Sequence, residues 1–433
     1  MSTINITKTV HDRLGEHILA DGYQLIMDLE KSHDSYLVDK NGKKYLDFFS
    51  MFASSPIGYN HPYLVQHQDF LGKMAINKLA VSDIYTEEYA DFVETFARVA
   101  MPKELQYSFF ISGGTLAVEN ALKAAFDWRT RLNFSKGIQQ EADQVIHFKQ
   151  AFHGRSGYTL SLTNTNDPRK YEYFPKFNWP RVENPKMYFP NNEENLQLTI
   201  DNERKSIDEI QFALENNPNR VACIILETIQ GEGGDNYFRP EYLKKLRAIC
   251  DENEILLIFD EVQTGVGMTG KMWAFQHYDV VPDIISFGKK AQVCGILANK
   301  EKLDQIPNNV FKESSRINST FGGNFIDMIR FKLILEVIEK ENLVENAKIQ
   351  GEYFLNCLHD LQKDNQDIAN IRGKGLFIAF DLPTKEARNQ FISSCFNHQL
   401  IVLPCGEKTV RFRPHLTVTK NQIDEAIEIM KKI

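Results

Sequence analysis

Ile255-Leu256-Leu257-Ile258-Phe259-Asp260-Glu261 and, further along, Ile284-Ile285-Ser286-Phe287-Gly288-Lys289-Lys290 are short apolar runs that each end in charge. Unbroken apolar runs of this length, bounded by polar and Gly-containing sequence, are how strands buried on both faces read. Similar runs occupy 107–111, 144–148 and 221–226, and amphipathic helical stretches alternate with them from about 62 to about 325. That rhythm predicts an α/β fold with a mostly parallel sheet covered on both faces, whose chemistry lies at the strands' carboxyl ends. Asp260 and Lys289 would stand at that edge.

Outward from this centre the pattern changes. Before it, 36–39 and 44–49 flank Asn41-Gly42, a strong hairpin signal. After residue 325 the chain reads as a long helix to about 354, strands at 375–380, 400–403 and 409–412, and a closing helix from about 420. Ile423, Ala426, Ile427 and Met430 give that helix one packed face. The organisation expected is an N-terminal segment (1–61) belonging to the smaller domain, a large domain (62–325), and a C-terminal small α+β domain (326–433). No repeat or low-complexity tract interrupts it.

Composition narrows the function. At 433 residues, about three times a common domain, at least two cores are expected. Lys and Arg number 50 against 58 Asp and Glu, net −8, and the basic residues are scattered, which argues against a general nucleic-acid grip. Cys223, Cys250, Cys294, Cys357, Cys395 and Cys405 lie far apart, without CxxC or metal-ligand spacing, so no metal and a reduced, cytoplasmic setting are expected. Neither Met1-Ser2-Thr3-Ile4-Asn5 nor any later stretch reads as a signal peptide or membrane span.

A third feature joins the two charged edges. Phe109-Phe110-Ile111 leads through Ser112-Gly113-Gly114-Thr115 into a helix without Gly or Pro from 116 to 132. Glycines allow close backbone approach, and a helix N-terminus offers free N–H groups and partial positive charge, so a phosphate fits there. A carboxylate, an amine and a phosphate cradle on one edge suit pyridoxal phosphate: the amine joins the aldehyde, the carboxylate keeps the pyridine nitrogen protonated, and the cradle holds the phosphate. Alone, these segments also fit a solvated lysine pair and an Asp260 that caps a loop.

Longer motifs carry a resemblance. Ser112-Gly113-Gly114 with Ala117-Val118-Glu119-Asn120-Ala121-Leu122-Lys123, Phe152-His153-Gly154-Arg155-Ser156-Gly157, and Glu227-Thr228-Ile229-Gln230-Gly231-Glu232-Gly233-Gly234-Asp235 come first. Asp260-Glu261-Val262-Gln263-Thr264-Gly265, Pro282-Asp283-Ile284 through Lys289, and Asn318-Ser319-Thr320-Phe321-Gly322-Gly323-Asn324 follow. In this order, nearly end to end, the chain resembles the class III pyridoxal-phosphate aminotransferases, closest to the branch that takes the ε-amino group of L-lysine. The resemblance implies the PLP-dependent transferase fold type I, with a mostly parallel seven-stranded sheet in the large domain, and a homodimer with composite sites.

Residue by residue, it makes Lys289 the Schiff-base lysine and Asp260 the partner of the pyridine nitrogen. Gly113, Gly114 and Thr115 would hold the phosphate, Phe152 would stack on the ring, and Gln263 would bond the phenolic oxygen. Thr320 would reach the phosphate from the neighbouring subunit. Glu232 would mask Arg411 during the amine half-reaction and release it to a dicarboxylate, a planar guanidinium fork being suited to that exchange. Arg155 would hold the donor's α-carboxylate, and Glu227 and Asn318 would complete the substrate site. Thr115, Ala291, Phe321 and His415 depart from the residues usual in that branch, the last close in sequence to Arg411.

The activity this implies is ping-pong transfer of lysine's ε-amino group to 2-oxoglutarate, giving 2-aminoadipate 6-semialdehyde and glutamate. Competing readings are another ω-amine donor, such as ornithine or 4-aminobutyrate, and a non-catalytic dimeric scaffold of the same fold. A nicotinamide-binding sheet is disfavoured, because no GxGxxG turn follows the first strand of a βαβ unit.

Overall fold

A computed structural model describes residues 8–433, so the reading of Met1 to Asn5 lies outside the described residues. Seven strands form the central sheet: β1 (Tyr107–Ile111), β2 (Gln144–Phe148), β3 (Arg181–Val182), β4 (Val221–Glu227), β5 (Leu256–Asp260), β6 (Ile284–Phe287) and β7 (Cys294–Ala298), in the order β1-β7-β6-β5-β4-β2-β3. β7 alone runs against the others, pairing antiparallel with β1 and β6. Only residues 288–293 separate β6 from β7, too few for the crossover a parallel return needs, so the chain must double back. β3 and β7 are the strands that the apolar-run reading left out.

Every residue of β4 and β5 is buried. Alternate side chains feed two cores. Ile225, Leu256, Ile258 and Ile284 pack with Val118, Leu122 and Trp128 of α1 (Gly114–Ser135). On the other face Leu226, Leu257, Phe259 and Phe287 join Phe92, Phe96 and Phe331. The ring of Phe96 meets that of Phe110 edge-on at 5.2 Å. Complete burial of such a ring is worth about 2–3 kcal/mol, and the edge-on contact adds about 1.

Beyond residue 325 the single long helix expected is two, α2 (Phe325–Lys340) and α3 (Leu343–Asp364). They break at Asn342, which has φ 51° and so cannot continue a right-handed helix. The strand expected at 375–380 is a hairpin, Ala369–Lys374 against Phe377–Asp381, turning at Gly375. There φ is 53° and a Cβ would lie 2.4 Å from the Thr269 carbonyl carbon, so the glycine is required. Thr409–Phe412 and Leu403–Cys405 extend this sheet. The expected 400–403 strand divides: Leu400–Ile401 instead pairs parallel with Lys44–Asp47, the second strand of the N-terminal hairpin. The final helix, Lys420–Met430, buries Ile423, Ala426, Ile427 and Met430 as its spacing implied. All six cysteines are free thiols. Among the described residues no helix is long and apolar enough to cross a membrane.

Candidate active site

The carboxyl ends of β1, β2, β4, β5 and β6 meet around a cavity of about 440 Å³, with Arg411 closing it from the smaller sheet. Its size falls within the range of small-molecule sites. Helix α1 starts at Gly114 without any side-chain cap, so the N–H groups of Gly114, Thr115 and Leu116 have no partner within the helix. Gly113, at φ 102°, supplies the turn into it. Gly154 faces this end of the cavity, where a Cβ would lie 2.4 Å from the Thr115 hydroxyl.

Lys289 enters the cavity from the loop after β6, at φ 48°. Positive φ in a residue other than glycine is backbone strain of the kind found at functional sites. Burial and the neighbouring Arg411 guanidinium push the Lys289 ammonium below its ordinary range. An amine that gives up its proton readily can act as nucleophile or base. Lys290 donates to the carbonyls of Gln263 (2.7 Å) and Ala53 (3.3 Å), so its ammonium ties two loops together.

Asp260 ends β5 with both oxygens engaged. Oδ1 accepts from the Val262 N–H and the Ser286 hydroxyl, each at 3.0 Å, and Oδ2 lies 2.7 Å from His153 Nδ1. Oδ2 retains a lone pair toward the cavity. His153 Nε2 is buried without a partner among the described residues, which leaves the ring's proton to Nδ1 and makes it the donor to Asp260.

Glu227 is beside Asp260 in register on the next strand. It lines the cavity, and each of its oxygens accepts from a backbone N–H, of Phe152 and of Gly231, both at 2.9 Å. It braces the two glycine-containing loops that frame the cavity. Burial, more than the nearby Asp260 charge, pushes its carboxyl up to about 7. An unfolded glutamate titrates near about 4.3, so between these values the folded chain holds a proton the unfolded chain has released, and stability falls as pH rises. Glu227→Gln stays neutral throughout. Its stability relative to the unmodified chain should therefore improve by up to about 3 kcal/mol between pH 5 and pH 8. Urea midpoints at the two pH values check this, and a constant difference would contradict it.

Gln263 is oriented by arginine. Arg413, fully buried against Asp235 at 2.6 Å, donates from Nη2 to Gln263 Oε1 at 3.0 Å. Since guanidinium only donates, the oxygen must face it, and the amide NH₂ is left to donate into the cavity. Across from it Arg411 Nη2 donates to Glu232 Oε2 at 2.8 Å. The other oxygen of Glu232 is held by Lys170, at the end of the Pro168–Lys170 turn. Burial raises the Glu232 carboxyl, but Arg411 and Lys170 outweigh it and hold the group below its usual range.

One wall comes from an unexpected backbone. Ser50, Met51, Phe52 and Ala53 have φ of 40, 53, 57 and 64°, a left-handed turn without glycine. Such a conformation costs about 1–2 kcal/mol per residue. Asp47 Oδ1 accepts from the Phe49 and Ser50 N–H groups, both at 2.8 Å, and the Ser50 hydroxyl donates to the Arg413 carbonyl at 2.6 Å. Lys290 and Gln292 hold the far end through the carbonyls of Ala53 and Ser54. The turn sets Phe52 against the cavity.

Of the residues expected at the site, Gly114, Thr115, Phe152, Arg155, Glu227, Glu232, Asp260, Gln263, Lys289 and Arg411 line this one cavity. Asn318 and Thr320 do not: both are exposed on the loop before α2 and reach no part of it within the same chain. His415 is buried beside Tyr59 with rings 5.3 Å apart, and its ring nitrogens make no hydrogen bond among the described residues. Sequence reading missed roles for His153, Lys170, Phe52 and Arg413. His153 and Arg413 left signals, the first inside a quoted motif and the second two residues from Arg411, just past the end of the strand Thr409–Phe412. Lys170 and Phe52 left none.

An unpartnered amine, a carboxylate with a lone pair to spare, an amide donor and the open end of a helix face one another across a space that suits a flat phosphorylated pyridine aldehyde. The chain belongs to the class III aminotransferases, pyridoxal-phosphate-dependent enzymes, and the Aminotransferase class-III family model matches residues 18–433. Its similarity is narrower than the class. It is 49% identical over 428 residues to the L-lysine-epsilon aminotransferase of Mycobacterium tuberculosis (strain ATCC 25618 / H37Rv), covering 98% of this chain and 94% of that protein. With the L-lysine-epsilon aminotransferase of Streptomyces clavuligerus it shares 43% identity over 427 residues, 97% of this chain and 93% of that one. The solved structure of lysine aminotransferase from M. tuberculosis in the internal aldimine form superposes with a TM-score of 0.95 at 48% identity, covering 98% of both chains. The fold and family implied by the motifs are those found.

Proposed function

We propose that the chain moves the ε-amino group of L-lysine to 2-oxoglutarate, releasing 2-aminoadipate 6-semialdehyde and then L-glutamate. One observation carries the reading: a masked arginine and an unmasked one line the same cavity. Arg411 is paired with Glu232, whereas Arg155, at the cavity's exposed side, has no hydrogen-bond or ion-pair partner among the described residues. An ε-amine donor has no carboxylate on its reacting carbon and needs Arg411 neutralised, while its distant α-carboxylate needs a free guanidinium. The lysine-specific relatives support this choice of donor.

Bound pyridoxal phosphate supplies an aldehyde that takes up the amine and a protonated ring that accepts the electron pair from the reacting carbon. This chain's residues do the rest. Asp260, steadied by His153 and Ser286, would keep the ring nitrogen protonated. The NH₂ of Gln263 would hold the phenolic oxygen, Phe152 the ring, and the start of α1 with Thr115 the phosphate. With the cofactor bound, the Lys289 amine would be the base that takes a proton from the ε-carbon and the acid that gives it back. When 2-oxoglutarate enters, Glu232 leaves Arg411, whose fork then takes the dicarboxylate.

We place Thr320 in the site of a second copy. Its exposure supports this, as do Ile76, Ile84, Tyr85 and Phe321, large apolar side chains exposed along the same region, where Lys78 lies over Phe321 at 4.0 Å. A homodimer would cover them. The free thiols suit a cytoplasmic location.

Lysine mixed with the cofactor-loaded enzyme, without acceptor, tests the donor: ε-transfer yields the semialdehyde and α-transfer a 2-oxo acid. Recovery of the 2-oxo acid would overturn the proposal. Arg155→Ala should raise the KM for lysine about 10- to 100-fold, the worth of one charge-assisted contact, with a smaller change in kcat. An unchanged KM for lysine would remove Arg155 from the site.

A further inference from the structure

Glu232 has two cations, one for each carboxylate oxygen. Arg411 takes Oε2 and Lys170 takes Oε1. Arg411 is deeply buried on a strand, while Lys170 is on a three-residue turn at the cavity's edge, its side chain about as exposed as that of Glu232. Arg411 therefore stays in place, whereas Lys170, with four rotatable methylenes, can follow a moving carboxylate. The backbone of Glu232 is fixed, its carbonyl accepting from the Gly406 N–H at 2.9 Å, so only its side chain can swing. A glutamate that left Arg411 alone would be a partly buried anion without a partner, which is costly.

We infer that Lys170 is the positioning residue of this exchange, the cation that keeps Glu232 paired while Arg411 binds the acceptor's carboxylate. The inference rests on the reading that lysine and 2-oxoglutarate share this cavity. Lys170 adds less to the masked state, where Glu232 also has Arg411, than to the unmasked state, where it is the cation still bonded to the carboxylate. It thereby raises the fraction of molecules ready for a dicarboxylate. Apparent affinity scales with that fraction, while the rate at saturation does not.

The test follows the two half-reactions separately in the holoenzyme, with 2-oxoglutarate and with L-lysine as probes. Lys170→Gln should raise the apparent constant for 2-oxoglutarate about tenfold with its saturating rate within about twofold, while Lys170→Arg restores the constant to within about threefold. In a Glu232→Ala background, Lys170→Gln should have no further effect, since no carboxylate remains to be held. Three results would overturn the inference: an unchanged constant, an equal loss in both half-reactions, or a full effect that survives in the Glu232→Ala background. The last would mean that Lys170 touches the acceptor directly. Failure of the underlying reading shows elsewhere, as an unmodified enzyme that is unreactive to lysine or to 2-oxoglutarate.

Discussion

Lys289→Ala is expected to lower turnover by about 10⁴-fold or more, the upper end of what a positioned acid–base group contributes, because in the proposed mechanism one amine both attaches the cofactor and carries the proton. The fold should survive. Lys289 Nζ makes no hydrogen bond or ion pair among the described residues, and burial beside Arg411 already disfavours its charge, so removing it relieves a strained electrostatic environment. Alanine is accommodated at φ 48° no worse than lysine. Nor can Lys290 substitute: its ammonium is committed to the carbonyls of Gln263 and Ala53, on the far side of the loop. Turnover with lysine and 2-oxoglutarate, measured beside a thermal unfolding curve, checks both halves. A variant that kept a tenth of the original rate with an intact fold would show that another amine does the work.

What the sequence revealed and what it hid divide along a physical line. β4, β5 and β6 were legible because strands buried on both faces must be apolar throughout, and a charge at the end of such a run must stand at the sheet edge. That rule brings Asp260 and the Lys289-Lys290 pair to the edge, and the family motif is what singles out Lys289. β7 was not, since Cys294-Gly295-Ile296-Leu297-Ala298 follows the lysine loop so closely that it reads as part of it. The left-handed turn at Ser50–Ala53 was invisible for a different reason. Local sequence signals positive φ through glycine or asparagine, and here the conformation is imposed by Asp47, Arg413, Lys290 and Gln292, residues distant in the chain. Glu227 shows a third limit. Its motif placed it at the site, yet only coordinates show that both carboxylate oxygens are taken by backbone amides. Lys170 lies in an unremarkable turn and gains meaning only from the position of Glu232.

Asp260→Asn is the most informative change at the ring's other end. Asp260 Oδ1 accepts from a backbone N–H and a hydroxyl, so the amide oxygen of asparagine must take that position and its NH₂ must replace Oδ2. That NH₂ then faces His153 Nδ1, where two donors would oppose each other, and His153 resolves the conflict by moving its proton to Nε2. The cavity now presents an amide donor where it had an anion. A donor opposite the pyridine nitrogen holds it unprotonated, and the ring loses the positive charge that draws electrons from the reacting carbon. Loss of one preorganised electrostatic partner of this kind costs about 10²–10³ in turnover. Cofactor attachment should persist, because Lys289, Gln263 and the helix end are untouched. Absorbance at visible wavelengths would report retained cofactor while stopped-flow mixing with lysine reports the slowed proton removal. Should the variant lose less than about threefold in that step, the charge at 260 would not be what activates the ring, and His153 would be the group to change next.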